Sequence, residues 1–577
     1  MNGGEKIAQV LKNQGVEFIF TLCGGHISPI LVGAKKAGIR VIDVRQEPTA
    51  VFAADAVSRL TGIPGVAAVT AGPGVTNSIT AIKNAQMAQS PLVLLGGAPA
   101  TVLKDRGALQ DIEQMKLMET LVKWSSTIHQ DCDIEPVLEE AFDVALSGIP
   151  GPVFIECPLD LLYDPALVRE WYTKGADESK GMIERVTRWY LRRHVDKIFA
   201  CSTKNLELAE KAHIKPFFVD LDDVEAVLER IKQAQSPVMV VGSQVALNPH
   251  LLHRLSDQLR SFGVPMFLTG MARGLVGNQC AMQFRHGRTP ALKEADLVLI
   301  AGMPCDFRLN YGKSIGKDAF YVGVNRSKTD LQLNRKPDLA VVADPCTFLL
   351  KLTSETQFDR HHFTPWISRL NLREKRGADK IVKYMDTQTE YANPLRLCAA
   401  IDDSMAENSV VIGDGGDFIA TASYILKPRG PLTWMDPGPY GTLGVGAGFA
   451  IAAKLIHPEA EIWLLYGDGA AGYGLMEQDT FVRHNLPIIT VIGNDAGWTQ
   501  IARDQTEIFH DDVATTLEYS DYHKIADALA ADGMVLKENS EIYKVLTDAK
   551  QSAQNGRPVL VNAMMGRTDF RKGSISV

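Results

Sequence analysis

The sequence predicts an α/β protein with three domains, each built on a mostly parallel β-sheet flanked by helices. The chain has 577 residues, which is too long for one hydrophobic core and suits about three domains of roughly 150–200 residues. Short apolar runs alternate with helix-length stretches in three regions, a pattern typical of parallel α/β units. The predicted parts are domains at 1–165, 216–360 and 376–565, a helical linker at 166–215 and a C-terminal tail at 566–577.

The first domain shows this alternation most clearly. Its predicted strands are 16–22, 39–44, 65–70, 91–95 and 151–156. Its predicted helices are 30–37, 49–61 and 76–89. Because parallel strands need a crossover between them, this order predicts one parallel sheet.

The linker region lacks strand patterns and is rich in Trp, Tyr, Arg and Lys. Residues 189–194 (WYLRRH) predict an amphipathic helix. We expect this helix to pack on the body of the protein, and a helix lying on a membrane surface is the alternative.

The other two domains repeat the architecture without close sequence repetition. The second has predicted strands at 237–241, 265–269, 297–301 and 320–324. The third has predicted strands at 409–413, 461–466, 488–493 and 558–562. The tail contains no strand pattern.

Composition and charge exclude several classes of function. Hydrophobic residues make up 46% and charged residues 22% of the chain, as in ordinary soluble enzymes. A formal net charge of −8 without a basic stripe argues against nucleic-acid binding. The eight cysteines lack paired CxxC spacing, so neither a zinc site nor a disulfide framework is predicted.

No segment predicts export or a membrane span. The first 20 residues read as a helix and a strand without the apolar core of a signal peptide. The most apolar long stretch, 444–456, is too short to span a bilayer and predicts a buried helix. We therefore expect a cytoplasmic protein.

Two strand ends in the third domain carry side chains suited to a divalent cation. The apolar run before Gly467-Asp468-Gly469 predicts a buried strand that delivers a carboxylate to a tight turn. A second apolar run, 487–492, leads to Asn494. Carboxylate and amide oxygens are ligands that Mg²⁺ accepts beside phosphate oxygens. Both would lie at strand C-termini, where open α/β sheets bind ligands.

This arrangement resembles the signature of thiamine diphosphate (ThDP, or thiamine pyrophosphate) enzymes, which begins at Gly-Asp-Gly and ends near a pair of asparagines. Here the second asparagine is replaced by Asp495. The resemblance implies Mg²⁺ ligands at Asp468, Asn494 and the main-chain carbonyl of Ala496. It implies further cofactor contacts at Gly467, Gly469, Ala470, Gly497 and Trp498.

A carboxylate in the first domain matches the catalytic glutamate of this family. Glu47 follows a predicted strand and precedes a helix, where the helix dipole alone would favour an acid. The resemblance implies that Glu47 protonates the aminopyrimidine ring of ThDP, which lets the exocyclic nitrogen take the proton of the thiazolium C2. Such a group works best when buried, because burial can shift its pKa toward neutrality.

The turn at residues 72–77 (GPGVTN) resembles a loop that lines the pyrimidine pocket, with Gly72, Pro73 and Asn77 as cofactor-binding residues. A generic turn between strand and helix is the alternative. In this family the pyrimidine domain of one subunit faces the diphosphate domain of its neighbour. The resemblance therefore implies an obligate homodimer, often assembled further into a tetramer.

Other glycine-rich turns match cofactor contacts. The resemblance implies a main-chain carbonyl at Gly441 on the aminopyrimidine and an aliphatic wedge at Leu443 that bends the cofactor. Gly416 and Asp417 match a position that helps to seat the diphosphate. Close helix packing explains such glycines nearly as well.

Four polar or aromatic residues are candidates for the reacting centre. His26 titrates near neutrality and could shuttle a proton, although a histidine that caps the following helix is equally expected. Gln110 matches a family glutamine near the thiazolium. Tyr473 and Trp498 follow the metal loops and line either the acyl pocket or the core.

Three differences from acetolactate synthases indicate which branch of the ThDP enzymes the chain resembles. The sequence GTLGVGAGFAIAA lacks a proline and resembles 2-hydroxyacyl-CoA lyases and oxalyl-CoA decarboxylases. Arg288 and the segment DFRLNYG, which contains Arg308, resemble acyl-CoA enzymes in which arginines serve an ADP or CoA phosphate site. Solvated surface arginines are the alternative, and FAD is not expected. Stretches such as GNDAGWTQIARDQ and TDFRKGSISV closely resemble the 2-hydroxyacyl-CoA lyase 2 branch.

The tail is small and basic. In CoA-dependent relatives a C-terminal segment closes over the thioester, which implies a substrate lid with Arg571 and Ser574 near the CoA phosphates. Disorder is the default expectation for a terminus.

Taken together, the resemblance implies a ThDP- and Mg²⁺-dependent lyase. It would cleave a 2-hydroxyacyl-CoA into formyl-CoA and an aldehyde or ketone, and would run in reverse as a condensation. The alternatives are an acetolactate-synthase-like pyruvate decarboxylase and carboligase, and a non-catalytic subunit with the ThDP fold.

Overall fold

The computed structural model describes residues 1–173, 182–201, 208–215, 217–354 and 361–573. The chain divides into two compact units, residues 1–215 and 216–577. The first unit contains one parallel sheet and the second contains two, each flanked by helices. The predicted fold class is confirmed.

The sheet of the first unit is parallel throughout the described residues. Its strands are β1 (Phe18–Thr21), β2 (Arg40–Asp43), β3 (Gly65–Val69), β4 (Leu92–Ala98), β5 (Trp124–Thr127) and β6 (Pro152–Pro158). They lie in the order β2-β1-β3-β4-β6-β5. All five predicted strands are present.

Helices flank this sheet. They are Gly3–Asn13, Ser28–Lys36, Glu47–Thr61, Pro73–Asn77, Ile79–Met87, Gln114–Met118, Ile134–Leu146, Leu159–Leu162, Pro165–Thr173 and Met182–Ile198. The helix predicted at 76–89 is present as Ile79–Met87, and a second short helix, Pro73–Asn77, meets it at Ser78. The Ser78 hydroxyl donates to the carbonyl oxygen of Gly74 (2.8 Å), a local bond that competes with regular helix geometry.

The linker helix Met182–Ile198 packs on the first unit, as predicted. Val195 and Ile198 are buried in the hydrophobic core of that unit. His194 Nε2 lies 2.6 Å from the hydroxyl oxygen of Thr101. In the part of the chain that the structure describes, no helix has the length and apolar character needed to cross a lipid bilayer.

The second unit contains two further parallel sheets. The strands of one are β7 (Pro237–Val241), β8 (Met266–Leu268), β9 (Leu297–Ala301), β10 (Phe320–Asn325) and β11 (Leu339–Val342), in the order β11-β10-β9-β7-β8. The strands of the other are β12 (Val410–Gly413), β13 (Trp434–Met435), β14 (Ile462–Gly467), β15 (Ile488–Asn494), β16 (Asp532–Leu536) and β17 (Val559–Met564), in the order β13-β12-β14-β15-β17-β16.

The helices of the second unit include the predicted buried helix, Val445–Ile456, and the crossover helix between β14 and β15, Gln478–Arg483. The others are Leu221–Gln233, Leu252–Phe262, Arg288–Glu294, Lys328–Leu331, Pro345–Ser354, Thr364–Met385, Pro394–Ser404, Asp417–Ile425, Asp468–Ala471, Thr499–Phe509, Tyr522–Ala528 and Ile542–Gln554. The tail forms a short turn, Asp569–Arg571, outside the sheet.

The last sheet has a switch point between β12 and β14. β13 lies on one side of β12, while β14 and the strands that follow continue on the other side. At such a point the chain connections diverge and leave a crevice at the C-terminal ends of the strands. The segments after β12 and β14 begin with Asp414 and Asp468, so two carboxylates are delivered to this crevice.

Candidate active site

A cavity of about 430 Å³ lies at the C-terminal ends of β12, β14 and β15. Many predicted cofactor-binding residues line it: Gly416, Asp417, Gly441, Leu443, Gly467, Asp468, Gly469, Ala470, Gly497 and Trp498. The fold thus brings together four separate segments of the sequence in one site.

Glycines allow large side chains to close over the backbone of this cavity. A Cβ atom at Gly415 would lie 2.2 Å from Cδ2 of Leu443, and one at Gly469 would lie 2.5 Å from the ring of Trp498. Gly416 adopts a φ of 108°, which L side chains rarely adopt. Leu443 therefore lies against the glycine turn in the wall of the cavity, and its role as a wedge against a ligand stays a prediction.

Asp468 is a buried carboxylate at the C-terminal end of β14. The residue is only 3% exposed. Its Oδ1 accepts the N–H of Gly469 (2.9 Å) and its Oδ2 accepts the N–H of Gly497 (3.0 Å). Burial raises the pKa of Asp468, although these main-chain donors oppose the rise. Within the described residues it forms no ion pair, so the site has the charge and the oxygen donors that suit a bound cation.

Asn494 and Ala496 are placed differently from Asp468. The Nδ2 of Asn494 donates to Asn562 Oδ1 (3.1 Å), and its Oδ1 accepts the N–H of Ala496 (3.3 Å). The carbonyl oxygen of Ala496 accepts the N–H of Leu517 (3.0 Å). Neither residue lines the cavity. Strand alternation explains the placement of Asn494, because side chains of successive residues in β15 face opposite sides of the sheet. Ala496 lies beyond the end of β15, with a φ of 52°.

Asp495, the departure from the family signature, lines the cavity. Burial raises the pKa of Asp495 to about 7, and the charge of Asp468 contributes to the rise. The two carboxylates are therefore electrostatic neighbours. No group of three or more His, Cys, Asp or Glu side chains that could hold a metal occurs among the described residues. A cation here would need main-chain or phosphate oxygens as additional ligands.

Asp414 is a lining residue that the sequence did not single out. Its carboxylate accepts the N–H groups of Gly444 (2.9 Å) and Gly446 (2.7 Å), which fixes the start of the helix Val445–Ile456. Its position directly after the predicted strand 409–413 could have identified Asp414 as a site residue. Burial raises the pKa of Asp414 to about 7 against an ordinary value of 3.8, although both glycine N–H groups oppose the rise.

We expect the Asp414→Asn variant to lose part of the pH dependence of stability. The folded-state pKa is raised, so the contribution of Asp414 to stability is complete below pH of about 4 and is lost as the pH rises through about 7. The rise from 3.8 to about 7 corresponds to at most about 4 kcal/mol. Apparent Tm of the cofactor-free protein, measured between about pH 5 and pH 8, should fall less in the variant than in the wild type. The exposed Asp403→Asn change is the control, and equal slopes in all three proteins would contradict the assignment.

In the first unit, Glu47 is buried at the first turn of the helix Glu47–Thr61. It is 7% exposed, and its Oε2 accepts the Nδ2 of Asn77 (3.1 Å). Pro73 occupies the first helical position of the turn that ends at Asn77. The predicted loop is therefore in contact with the predicted acid.

His26 and Gln110 are joined through Thr70, which sequence patterns did not single out. His26 Nδ1 lies 3.1 Å from the Thr70 hydroxyl, and that hydroxyl donates to Gln110 Oε1 (3.4 Å). Burial lowers the pKa of His26, which favours the neutral imidazole. Gly72 makes room for this arrangement, because a Cβ atom there would lie 2.7 Å from the carbonyl oxygen of Gln110.

Three family models match separate parts of the chain. "Thiamine pyrophosphate enzyme, N-terminal TPP binding domain" matches residues 1–117. The central domain model matches residues 224–352, and the C-terminal TPP binding domain model matches residues 387–563. The chain belongs to the thiamine pyrophosphate enzyme family.

Similar proteins align with this thiamine pyrophosphate enzyme over nearly its full length. The 2-hydroxyacyl-CoA lyase 2 of Homo sapiens is 46% identical over 588 residues, covering 100% of this chain and 92% of the relative. The protein of the same name from Danio rerio is 45% identical, with 100% and 93% coverage. The acetolactate synthase large subunit IlvG of Mycobacterium tuberculosis is 31% identical, with 98% and 96% coverage.

A second cavity in this family member, of about 740 Å³, is strongly cationic. It is lined by residues of the central segment, the long helix Thr364–Met385 and the tail. Its basic residues are Arg273, Arg285, His286, Arg288, Lys380, Arg571 and Lys572. Among the described residues that line it there is no Asp or Glu.

Three of these arginines bond to carbonyl oxygens and form no ion pair among the described residues. Arg273 donates to Ser423 (2.8 Å), Arg285 to Leu426 (3.2 Å) and Arg288 to Arg308 (2.7 Å). Burial lowers the pKa of all three guanidinium groups. Buried nitrogens of Arg273 and Arg285 also find no hydrogen-bond partner in the described part of the chain. A bound anion would compensate these charges.

The remaining predicted substrate residues are dispersed. The guanidinium group of Arg308 is paired with Asp306 (2.6 Å) and does not line the cationic cavity. Tyr473 is 53% exposed and lines neither cavity. Arg571 Nε lies 3.8 Å from Asp417 Oδ1, so it stands between the two cavities. Ser574 lies outside the described residues.

Proposed function

We propose that this chain is a ThDP- and Mg²⁺-dependent lyase that cleaves a 2-hydroxyacyl-CoA into formyl-CoA and an aldehyde or ketone. The reverse condensation is part of the same proposal. The names of the Homo sapiens and Danio rerio relatives, which align over 100% of this chain, support it. The structural observation that carries it is the position of the cationic cavity next to the cavity at the ends of β12, β14 and β15, which we call the cofactor cavity. The salt bridge between Arg571 and Asp417 connects the linings of the two cavities.

The cationic cavity suits the phosphates of coenzyme A. CoA carries a diphosphate and a separate phosphate, and guanidinium groups bind such anions through paired, charge-assisted hydrogen bonds. Arg288 and Arg571, two of the predicted phosphate-binding residues, line this cavity together with Arg273 and Arg285. The tail residue Lys572 lines it as well, which supports the tail at 566–577 as a lid on the bound thioester. ADP, which also carries phosphates, is the alternative ligand of the cationic cavity.

The residues of the cofactor cavity have assigned roles in this proposal. Asp468 would hold Mg²⁺, while Leu443 and the carbonyl of Gly441 would contact the rings of the cofactor. Bound ThDP supplies the carbon nucleophile and accepts the electrons released by carbon–carbon cleavage. Glu47 exchanges a proton with the aminopyrimidine, and His26 holds a proton of the substrate hydroxyl.

We further propose that Glu47 of one subunit serves the cofactor bound by its partner, so that a homodimer is required and a homotetramer is formed. The chain's scattered cysteines suit a reducing, cytoplasmic setting. The proposed domains, 1–165, 216–360 and 376–565, each contain one of the three matched segments.

A product assay tests the function directly. The purified protein, supplied with ThDP and Mg²⁺, is offered a 2-hydroxyacyl-CoA and, in parallel, pyruvate. We expect formyl-CoA and an aldehyde from the first substrate. Acetolactate from pyruvate without thioester cleavage would overturn the proposal in favour of an acetolactate-synthase-like carboligase, which the 31% identical Mycobacterium tuberculosis relative supports. Bound cofactor without product from either substrate would indicate a non-catalytic scaffold.

Arg288→Met should weaken the binding of acyl-CoA. Loss of a charge-assisted hydrogen bond costs about 1.5–3 kcal/mol, so KM for the thioester should rise about tenfold or more while kcat changes little. The same change at Arg308 should raise KM much less, because Asp306 already holds that guanidinium group. Steady-state kinetics of both variants decide the matter. An equal effect of the two substitutions would contradict a specific role for the cationic cavity.

A further inference from the structure

A long loop joins β4 to the helix Gln114–Met118 and carries Gln110 near its end. The loop covers residues 99–113, and loops of this length without secondary structure of their own are uncommon and usually functional. Its middle part is open to solvent, with Leu109 81% exposed. Gln110 lies against Thr70, whose hydroxyl contacts its Oε1. The position of Gln110 therefore depends on how the rest of the loop is held.

The backbone of Gln110 needs such restraint. Its φ is 63°, a conformation that residues other than glycine keep only where surrounding contacts fix it. After the loop, Gln114 donates its Nε2 to the carbonyl oxygen of Gly97 (2.8 Å). Within the loop, Lys104 pairs with Glu156 (2.7 Å), but the side chain of Lys104 is 43% exposed and such pairs contribute little. The start of the loop is then the place to look for the stronger restraint.

At the start of the loop, Thr101 is bound by a buried carboxylate. Its main-chain N–H donates to Oδ1 (3.0 Å) and Oδ2 (3.1 Å) of Asp160, and its hydroxyl donates to Oδ2 (2.5 Å). Asp160 lies in the short helix Leu159–Leu162 after β6 and is 1% exposed. Tyr172 donates its hydroxyl to the same Oδ2 (2.7 Å). A buried carboxylate is stable only when its oxygens are hydrogen-bonded, so this arrangement holds Thr101 in place.

The linker helix Met182–Ile198 adds one more member to this chain of hydrogen bonds. His194 Nε2 lies 2.6 Å from the Thr101 hydroxyl oxygen. A threonine hydroxyl has one hydrogen, and Thr101 gives it to Asp160, so the N–H must be on His194 Nε2. Burial lowers the pKa of His194, which favours the neutral imidazole with this single N–H. The donors therefore point in one direction, from His194 through Thr101 to Asp160.

We propose that His194 is a positioning residue for the reacting centre, because through Thr101 it holds the loop that carries Gln110. The proposal rests on the function proposed above and gives the linker helix a part in it. Hydrogen bonds in such a chain strengthen one another, so the loss of the first donor weakens the hold of Asp160 on Thr101. A loop released at its start allows the backbone of Gln110 to leave its restrained conformation.

Limited proteolysis of the full-length protein loaded with ThDP and Mg²⁺ tests the hold on the loop. Arg106 lies exposed in the middle of the loop, and trypsin cleaves there at a rate that follows the population of the open loop. His194→Leu and Thr101→Val should raise that rate about tenfold, because each leaves a buried polar group without its partner. His194→Gln and Thr101→Ser keep the N–H and the hydroxyl and should stay near the wild-type rate. The exposed His129→Leu change in the same unit is the control.

Kinetics with 2-hydroxyacyl-CoA test whether the hold matters to the reaction. In His194→Leu, kcat should fall about tenfold while KM and the affinity for ThDP change little. A double variant, His194→Leu with Gln110→Ala, should be no slower than Gln110→Ala alone, because a residue that acts through Gln110 has no effect once Gln110 is removed. Apparent Tm reports whether each variant keeps its fold, and Thr101→Val takes the place of His194→Leu if that variant does not.

Three results would overturn the proposal. The first is a wild-type cleavage rate at Arg106 in folded His194→Leu and Thr101→Val. The second is a rate raised as much in His194→Gln as in His194→Leu, and the third is a loss of kcat that adds to that of Gln110→Ala in the double variant. A wild type that cleaves no 2-hydroxyacyl-CoA would refute the proposed function, whereas the cleavage rates at Arg106 would still decide whether His194 holds the loop.

Discussion

Replacing Glu47 by Gln is expected to lower kcat by about 10²–10⁴-fold, the usual contribution of a positioned acid or base. Glutamine keeps the shape and can still contact Asn77, which now bonds to Glu47 at 3.1 Å. It cannot exchange a proton with the cofactor ring. Single-turnover kinetics with 2-hydroxyacyl-CoA, together with calorimetric titration of ThDP, should show lost chemistry with cofactor affinity nearly unchanged.

The exposed Glu17→Gln change in the same unit is the matched control, since it removes the same charge away from the site. Full turnover in Glu47→Gln would remove the central catalytic assignment. Loss of ThDP binding in that variant would instead give Glu47 a role in holding the cofactor.

The Asp468→Ala variant should bind ThDP and Mg²⁺ much more weakly than the wild type. Removing partners that merely orient a metal ligand costs about 10–100-fold in metal affinity, so removing the ligand itself should cost at least about a hundredfold. The carboxylate also anchors the N–H groups of Gly469 and Gly497, which the alanine leaves without a partner. Addition of ThDP and Mg²⁺ should raise the apparent Tm of the wild type and leave that of the variant unchanged.

Asp468→Asn separates the two contributions. The amide oxygen can still accept one of the main-chain N–H groups, so the loop should remain ordered while the charge is lost. A variant that keeps wild-type ThDP affinity at low Mg²⁺ would show that the cation is not held at this carboxylate.

Most of the sheet architecture could be predicted from the sequence, because buried parallel strands are continuous apolar runs between turns. The strands that no pattern predicted are β5, β11, β13 and β16, and among the described strands each lies at the edge of its sheet. Edge strands bury one side or little at all, as in β5, whose four residues are all partly exposed. The apolar pattern of such a strand is therefore weak, while β13 is buried but has only two residues, too few to form a pattern.

The cofactor cavity was largely predictable for a different reason. Its glycines and Asp468 lie in short motifs at the ends of strands. The spacing of such motifs in the sequence predicts where they lie in the fold. The sequence did not predict that Asp495 lines the cavity and Asn494 does not, because the spacing of residues does not give the side of the strand on which each one lies. The cationic cavity is assembled from segments near residues 273, 380, 424 and 571, and no spacing rule connects these.

The salt bridge between Arg571 and Asp417 has a thermodynamic consequence. Asp417 lines the cofactor cavity and Arg571 lines the cationic one, so the pair would connect the two ligands of the proposed function. A phosphate that draws Arg571 away from Asp417 leaves a carboxylate with one fewer cation facing the diphosphate. Free-energy coupling between two sites is reciprocal. In the proposed function, the factor by which a CoA phosphate changes the affinity for ThDP would therefore equal the factor by which ThDP changes the affinity for CoA.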